Sequence, residues 1–174
     1  MERVLADLEP ERVFYYFEEI SRIPRCSGDE KRISDYLVEF GKKNNLTTIQ
    51  DEALNVIIKK EGTKGYENAP TVVLQGHMDM VCEKEPNVDH DFSKDPIKLR
   101  VNGDRLEAIG TTLGTDNGIA VAMCLAILES KSLQHPPLEV LVTTSEETGM
   151  TGAKKLNPQN IDGRILINID SEEE

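Results

Sequence analysis

A chain of 174 residues is long enough for one domain burying roughly 70% of its unfolded surface, and its 32 acidic against 20 basic residues give a formal charge of −12. That balance excludes the basic surface that a nucleic-acid backbone or an anionic membrane requires, so neither is expected as a partner, and it suits cationic ligands. Cys26, Cys82 and Cys124 are odd in number and widely spaced with no CxxC, which predicts reduced thiols in the cytoplasm rather than a disulfide framework or a zinc–thiolate knuckle.

The opening MERVLADLEPERVFYYF carries acidic residues throughout and does not read as a signal peptide. Residues 10 to 22 place Val13, Phe14, Phe17 and Ile20 on one helical face, with Pro24 beyond the end, and predict a packing helix. In SGDE, Ser27 and Glu30 stand three apart and predict a capping box for a second amphipathic helix, marked by Ile33, Tyr36, Leu37 and Phe40 and running to about Lys43. LTTIQ and NVIIKK are short β-branched strands about an acidic turn. The loop EGTKGYENAP then leads into TVVLQGHMDMVCEK, an apolar strand that delivers His77, with Asp79 one pleat further on the same side. EPNVDHDFSKDP is a polar excursion in which His90 reads as a surface histidine. IKLRVNGDRLEAIG alternates about Asn102-Gly103 and predicts a β-hairpin.

GTTLGTDNG is a Gly-rich loop that brings Asp116 to the start of IAVAMCLAILES, a nearly all-apolar and therefore buried helix, too short in its apolar run to span a bilayer. Asp116 either caps that helix or binds a cation, and its local sequence does not choose. LEVLVTT reads as a fully buried strand ending in Ser145-Glu146-Glu147, TGAKKL as a short helix, and RILINID as a last buried strand ending in Asp170. If these strands are parallel, His77, Asp116, the paired glutamates and Asp170 gather at one edge of the sheet. A His with several carboxylates and no thiolate suits zinc, cobalt or manganese, and a bridging Asp suits a two-metal hydrolytic centre.

The segments ISRIPRCSGDEKRI, LQGHMDMVCEK, HDFSKDPI, GTTLGTDNGIAVA, LEVLVTTSEETGMTGA and LINIDSEEE cover nearly the whole chain in order. They resemble the aminoacyl-histidine dipeptidase branch (peptidase D) of the co-catalytic zinc peptidases, which also include peptidase T and carboxypeptidase G. The resemblance implies an α/β fold: a mostly parallel sheet sandwiched by helices, with a β-hairpin excursion, forming in residues 1–174 the amino-terminal part of the catalytic domain. It implies that His77 and Asp170 hold one zinc and Glu147 the other, that Asp116 bridges them, that Asp79 orients His77, and that Glu146 is the general base. It also implies a cis peptide bond after Asp116. Ser145 departs from the pattern, which has an Asp there.

In that family a lid and dimerisation domain follows, and a further His then reaches the second metal. Neither His90 nor His135 is expected to replace it, since His135 precedes its strand. The implied activity is hydrolysis of dipeptides, Xaa-His among them, by a homodimer. Residues 1–174 alone are expected to turn over negligibly and to self-associate through an uncovered apolar face. Two other readings stay open: a related zinc aminoacylase or tripeptidase, and a non-catalytic fragment that binds metal weakly or serves in assembly.

Overall fold

The computed structural model describes residues 3–170, so the SEEE end of the last motif lies outside the described residues. Helices α1 (Glu11–Ser21) and α2 (Lys31–Lys43) form where the apolar spacing predicts them and bury Phe17, Ile20, Ile33, Leu37 and Phe40. Strands β1 (Thr47–Gln50) and β2 (Val56–Lys60) pair antiparallel. The first strand to carry site chemistry is β3 (Val72–His77), and β4 (Leu99–Asn102) with β5 (Arg105–Ala108) makes the separate hairpin. Its turn falls on Gly103 and Asp104, one residue later than the sequence reading, because Gly103 supplies the positive φ of 63° that the turn needs. Helix α3 (Thr115–Glu129), strand β6 (Leu138–Thr143), helix α4 (Thr151–Lys155) and strand β7 (Ile165–Asn168) complete the chain.

The five-stranded sheet has the order β1-β2-β6-β3-β7. Strands β6, β3 and β7 are mutually parallel, and β2 runs against β6, so the carboxyl ends of the three site-bearing strands share one edge. Helices α1, α2 and α3 pack together on one face, over Val56, Ile58, Leu74, Val140 and Val142. The other face has a small cluster, Ile57, Val73 and Leu141, covered by Ile49, Leu156 and Ile161. The two faces are thus unequally covered.

Several sequence expectations give way here. Strand β7, read as buried, is exposed at every residue, with Leu166 at 59%; among the described residues it is an edge strand paired only with β3, and no helix lies over it. His90, read as a surface residue, is buried, its ring edge-on to Phe92 with centroids 4.5 Å apart; the polar excursion folds back as an aromatic contact that its composition hides. Cys26 and Cys82, read as reduced, form a disulfide with Cα atoms 5.7 Å apart, because the segment before α2 lies along the segment after β3, and their 56-residue separation gives no local hint. Cys124 alone is free, and it is buried in α3.

Candidate metal centre

The site grows from the end of β3. A Cβ at Gly76 would collide with the Asn117 side chain and lie 3.1 Å from the Cβ of Ala120, so only glycine lets α3 approach the strand this closely. His77, 1% exposed, is held at both ring nitrogens: Nδ1 lies 3.2 Å from Asp79 Oδ1 and Nε2 lies 3.0 Å from Asp116 Oδ1. Burial works against a charged imidazole, but the hydrogen bond and charge of Asp79, joined by Asp116, outweigh it and carry the His77 pKa up to about 9. Asp79 is wholly buried and accepts from Ser27 Oγ at 2.7 Å and from the backbone N–H groups of Glu146 at 3.0 Å and Glu147 at 3.3 Å. Burial would raise its pKa, yet hydrogen bonds from His77, Ser27 and Glu146 hold it below the usual carboxylate range. One carboxylate thereby sets both the imidazole and the paired glutamates.

The start of α3 resolves the choice left open for Asp116. Gly114, with φ 70°, occupies the cap position, and Asp116 and Asn117 have non-helical backbone angles joined by a cis peptide bond, as the resemblance implies. Asp116 makes no cap; its carboxylate points to His77 and is 65% exposed. Asn117 is a buried bracket: its Oδ1 accepts from the His77 N–H at 3.2 Å, and its Nδ2 donates to the Ile169 carbonyl at 2.7 Å and to Asp170 Oδ1 at 3.2 Å. Asp170 Oδ2 then stands 3.9 Å from His77 Nε2, as does Glu146 Oε2.

One donor atom each from His77, Asp116 and Asp170 lie within 4.8 Å of one another. The 3.0 and 3.9 Å separations from His77 Nε2 bracket the roughly 3.3 Å edge of a tetrahedron with bonds of about 2 Å, so this set fits a metal ion such as zinc. Glu147 is not in that compact trio; burial, and next the charge of Asp116, raise its pKa, which puts it among the same carboxylates.

Four residues that hold this arrangement escaped the sequence reading. Ser27 and Glu30 do not form a capping box: α2 has no side-chain cap, Ser27 serves Asp79, and Glu30 accepts from the N–H of Ser145 at 2.9 Å and its Oγ at 2.8 Å. Ser145, with φ 51°, is thus fastened in the left-handed turn that aims the next two N–H groups at Asp79. Asn117 and Arg25, the latter 2% exposed, complete the list. The available signal for three of them is the ISRIPRCSGDEKRI segment, in which the spacing of Ser27 and Glu30 mimics a capping box.

The model of peptidase family M20/M25/M40 matches residues 73–171. The chain is 44% identical over 170 residues to the cytosol non-specific dipeptidase of Escherichia coli, covering 98% of this chain and 35% of that protein. The crystal structure of an aminoacylhistidine dipeptidase from Vibrio alginolyticus superposes with a TM-score of 0.94 at 45% identity, over 98% of this chain and 35% of that one. A tripeptidase from Staphylococcus aureus superposes with a TM-score of 0.79 at 25% identity, over 95% of this chain and 44% of that one. The chain therefore spans about a third of the length of the two relatives at 44–45% identity.

Proposed function

The chain belongs to peptidase family M20/M25/M40, and we propose that it is the amino-terminal part of the catalytic domain of a metal-dependent dipeptidase that acts on dipeptides, Xaa-His among them. The observation that carries this reading is the joining of His77, Asp116 and Asp170 at one sheet edge with Glu146 beside them. The names of the two relatives at 44–45% identity support the substrate class. The reading has two zinc ions, replaceable by cobalt or manganese: His77, Asp116 and Asp170 would hold one, and Asp116 and Glu147, with a further ligand from polypeptide outside this chain, would hold the other. When bound, such ions polarise a carbonyl and lower the pKa of a water.

The chain's own residues do the rest. Asp79 holds the proton on His77 Nδ1, so that Nε2 offers its lone pair outward. Glu146, with 29% of its side chain exposed, takes the proton of the attacking water and returns it to the leaving amine. Ser145 and Asp79 fix the backbone that carries Glu146 and Glu147.

Polypeptide beyond this chain would supply a lid and dimerisation domain, and a homodimer is part of the reading. A groove of about 430 Å³ runs beside Glu146 and Asp170 over Leu141, Met150, Leu156 and Leu166. With exposed β7, it supports self-association of residues 1–174 when nothing covers it. The reading includes a cytoplasmic location, supported by the Escherichia coli relative's name. No helix among the described residues is long and apolar enough to cross a membrane. Cys26 and Cys82 are paired and only Cys124 is a free thiol, so the cysteines lend that location no support.

Elemental analysis after dialysis, a dipeptide assay and light scattering on one sample test the reading. Residues 1–174 are expected to hold one metal firmly, to turn over negligibly and to self-associate, while a chain extended to the length of the relatives hydrolyses dipeptides. An extended chain that binds metal but releases N-acyl groups or cleaves only tripeptides would overturn the substrate class. A chain that binds no metal at any length would overturn the whole reading.

A further inference from the structure

Arg25 supplies no metal ligand, yet it is buried between two of the segments that carry them, the one with His77 and the one with Asp116. Its Nη1 donates to the carbonyl oxygens of Met78 at 3.0 Å and Asp79 at 3.2 Å, and its Nη2 donates to the carbonyl of Gly114, two residues before Asp116. The backbone returns the contact, the Met80 N–H donating to the Arg25 carbonyl at 3.2 Å, and the Cys26–Cys82 disulfide closes the same junction. The Asp116 loop is cut to fit: a Cβ at Gly114 would lie 2.5 Å from Nη2, and one at Gly118 would lie 2.6 Å from it. Both glycines leave room for a guanidinium.

A fully buried cation is costly unless nearby negative charge compensates it. Arg25 finds only carbonyl oxygens as hydrogen-bond partners, and its Nε has none. The burial lowers its pKa to about 10, opposed by the charges of Asp79 and Asp116, so it remains a cation at neutral pH. Asp79, Asp116, Glu146, Glu147 and Asp170 crowd the site with five carboxylates. Two divalent ions would leave one negative charge uncompensated, which a cation behind Asp79 and Asp116 would match.

We infer that Arg25 is a positioning residue of the metal centre: its fork fastens the His77–Asp79 turn to the loop that carries Asp116, and its charge offsets the carboxylates gathered there. This rests on the metal-centre reading above. Lysine cannot replace it, because one ammonium on a flexible stem does not span three carbonyls on two segments.

The test compares the parent chain with Arg25→Lys, which keeps the charge, and Arg25→Met, which keeps the bulk. Cobalt(II) is titrated into each metal-free protein, following affinity and the visible absorption of the bound ion, and the thermal transition of each metal-free protein is recorded. Arg25→Lys is expected to melt within a few degrees of the parent but to bind cobalt about 10–100-fold more weakly, with an altered spectrum, as loss of an outer support to metal ligands does. Arg25→Met should bind at least as weakly. If Arg25→Lys keeps the parent's affinity and spectrum, the fastening role is overturned. If both variants lose the thermal transition, Arg25 is a core residue and not a positioning one. A parent that binds no cobalt removes the metal-centre reading itself, an outcome distinct from variants that bind as the parent does.

Discussion

Strands β3 and β7 are neighbours in the same sheet, parallel, rich in Val, Ile and Leu, and each runs into a metal-ligand candidate, yet they sit in opposite environments. Strand β3 has α3 against one face and neighbours on both edges, and it ends in a His77 that is 1% exposed. Among the described residues strand β7 has one neighbour and no cover, and Ile165, Leu166 and Ile167 are each close to half exposed or more. The difference divides the metal centre. On the β3 side, the chain itself holds His77 and Asp79 in place through Ser27, Arg25, Asn117 and the glutamate backbone. On the β7 side, Asp170 is held among the described residues through a single amide, Asn117, and the strand behind it presents apolar surface to solvent.

That contrast can be broken at its centre or sharpened at its margins. The largest effect is expected where the two halves meet. In a chain containing the complete active site, Glu146→Gln should keep its metal and lose roughly 10²–10⁴-fold in turnover, the usual worth of a general base. A fall in metal content with most of the rate preserved would exchange the roles of Glu146 and Glu147.

Paired truncations compare the two strands directly. Leu74→Ala in β3 should cost about 2–5 kcal/mol in urea unfolding of residues 1–174, because Leu74 belongs to the main core. Leu166→Ala, at a position 59% exposed, should stay within about 0.5 kcal/mol of the parent and reduce light scattering by aggregates. Equal costs would mean that β7 is covered in solution.

Asp79→Asn removes the charge that orients His77 and is expected to weaken metal binding about 10–100-fold, read by competition with a chelating dye. Unchanged affinity would show that Asn117 and the strand alone hold the imidazole.

A further effect is in pH. With its folded pKa near 9, above the roughly 6.5 of an unfolded histidine, His77 stabilises the metal-free chain fully below about pH 6.5, and that stabilisation is lost as the pH rises through 9. Metal must displace that proton, so affinity should rise by up to about tenfold per pH unit from 7 and level off near 9. A flat profile over that range would mean that His77 is already neutral in the metal-free chain.

Much of this was legible from local pattern. Helical spacing located α1 and α2, β-branched runs located the strands, and strand ends pointed to His77, Glu146, Glu147 and Asp170, because side-chain periodicity is a property of neighbouring residues. What failed did so for want of a partner in the pattern. SGDE has the residues of a capping box, but Ser27 and Glu30 have stronger claims on them from Asp79 and from Ser145, more than 50 and 100 positions away. Cys26 met Cys82, and Arg25 met Gly114, for the same reason.

By itself, the sequence determined which segments are helix and strand and which strand ends carry candidate ligands, which follow from residue type and short spacing, and its motifs in order pointed to the family. Only the tertiary structure decided that Asp116 faces His77 instead of capping α3, that β7 lies bare, and that a buried Arg25 backs the site. Burial and pairing depend on what the rest of the fold places opposite a residue, and that is set by sheet order and long-range contact, which no local window contains.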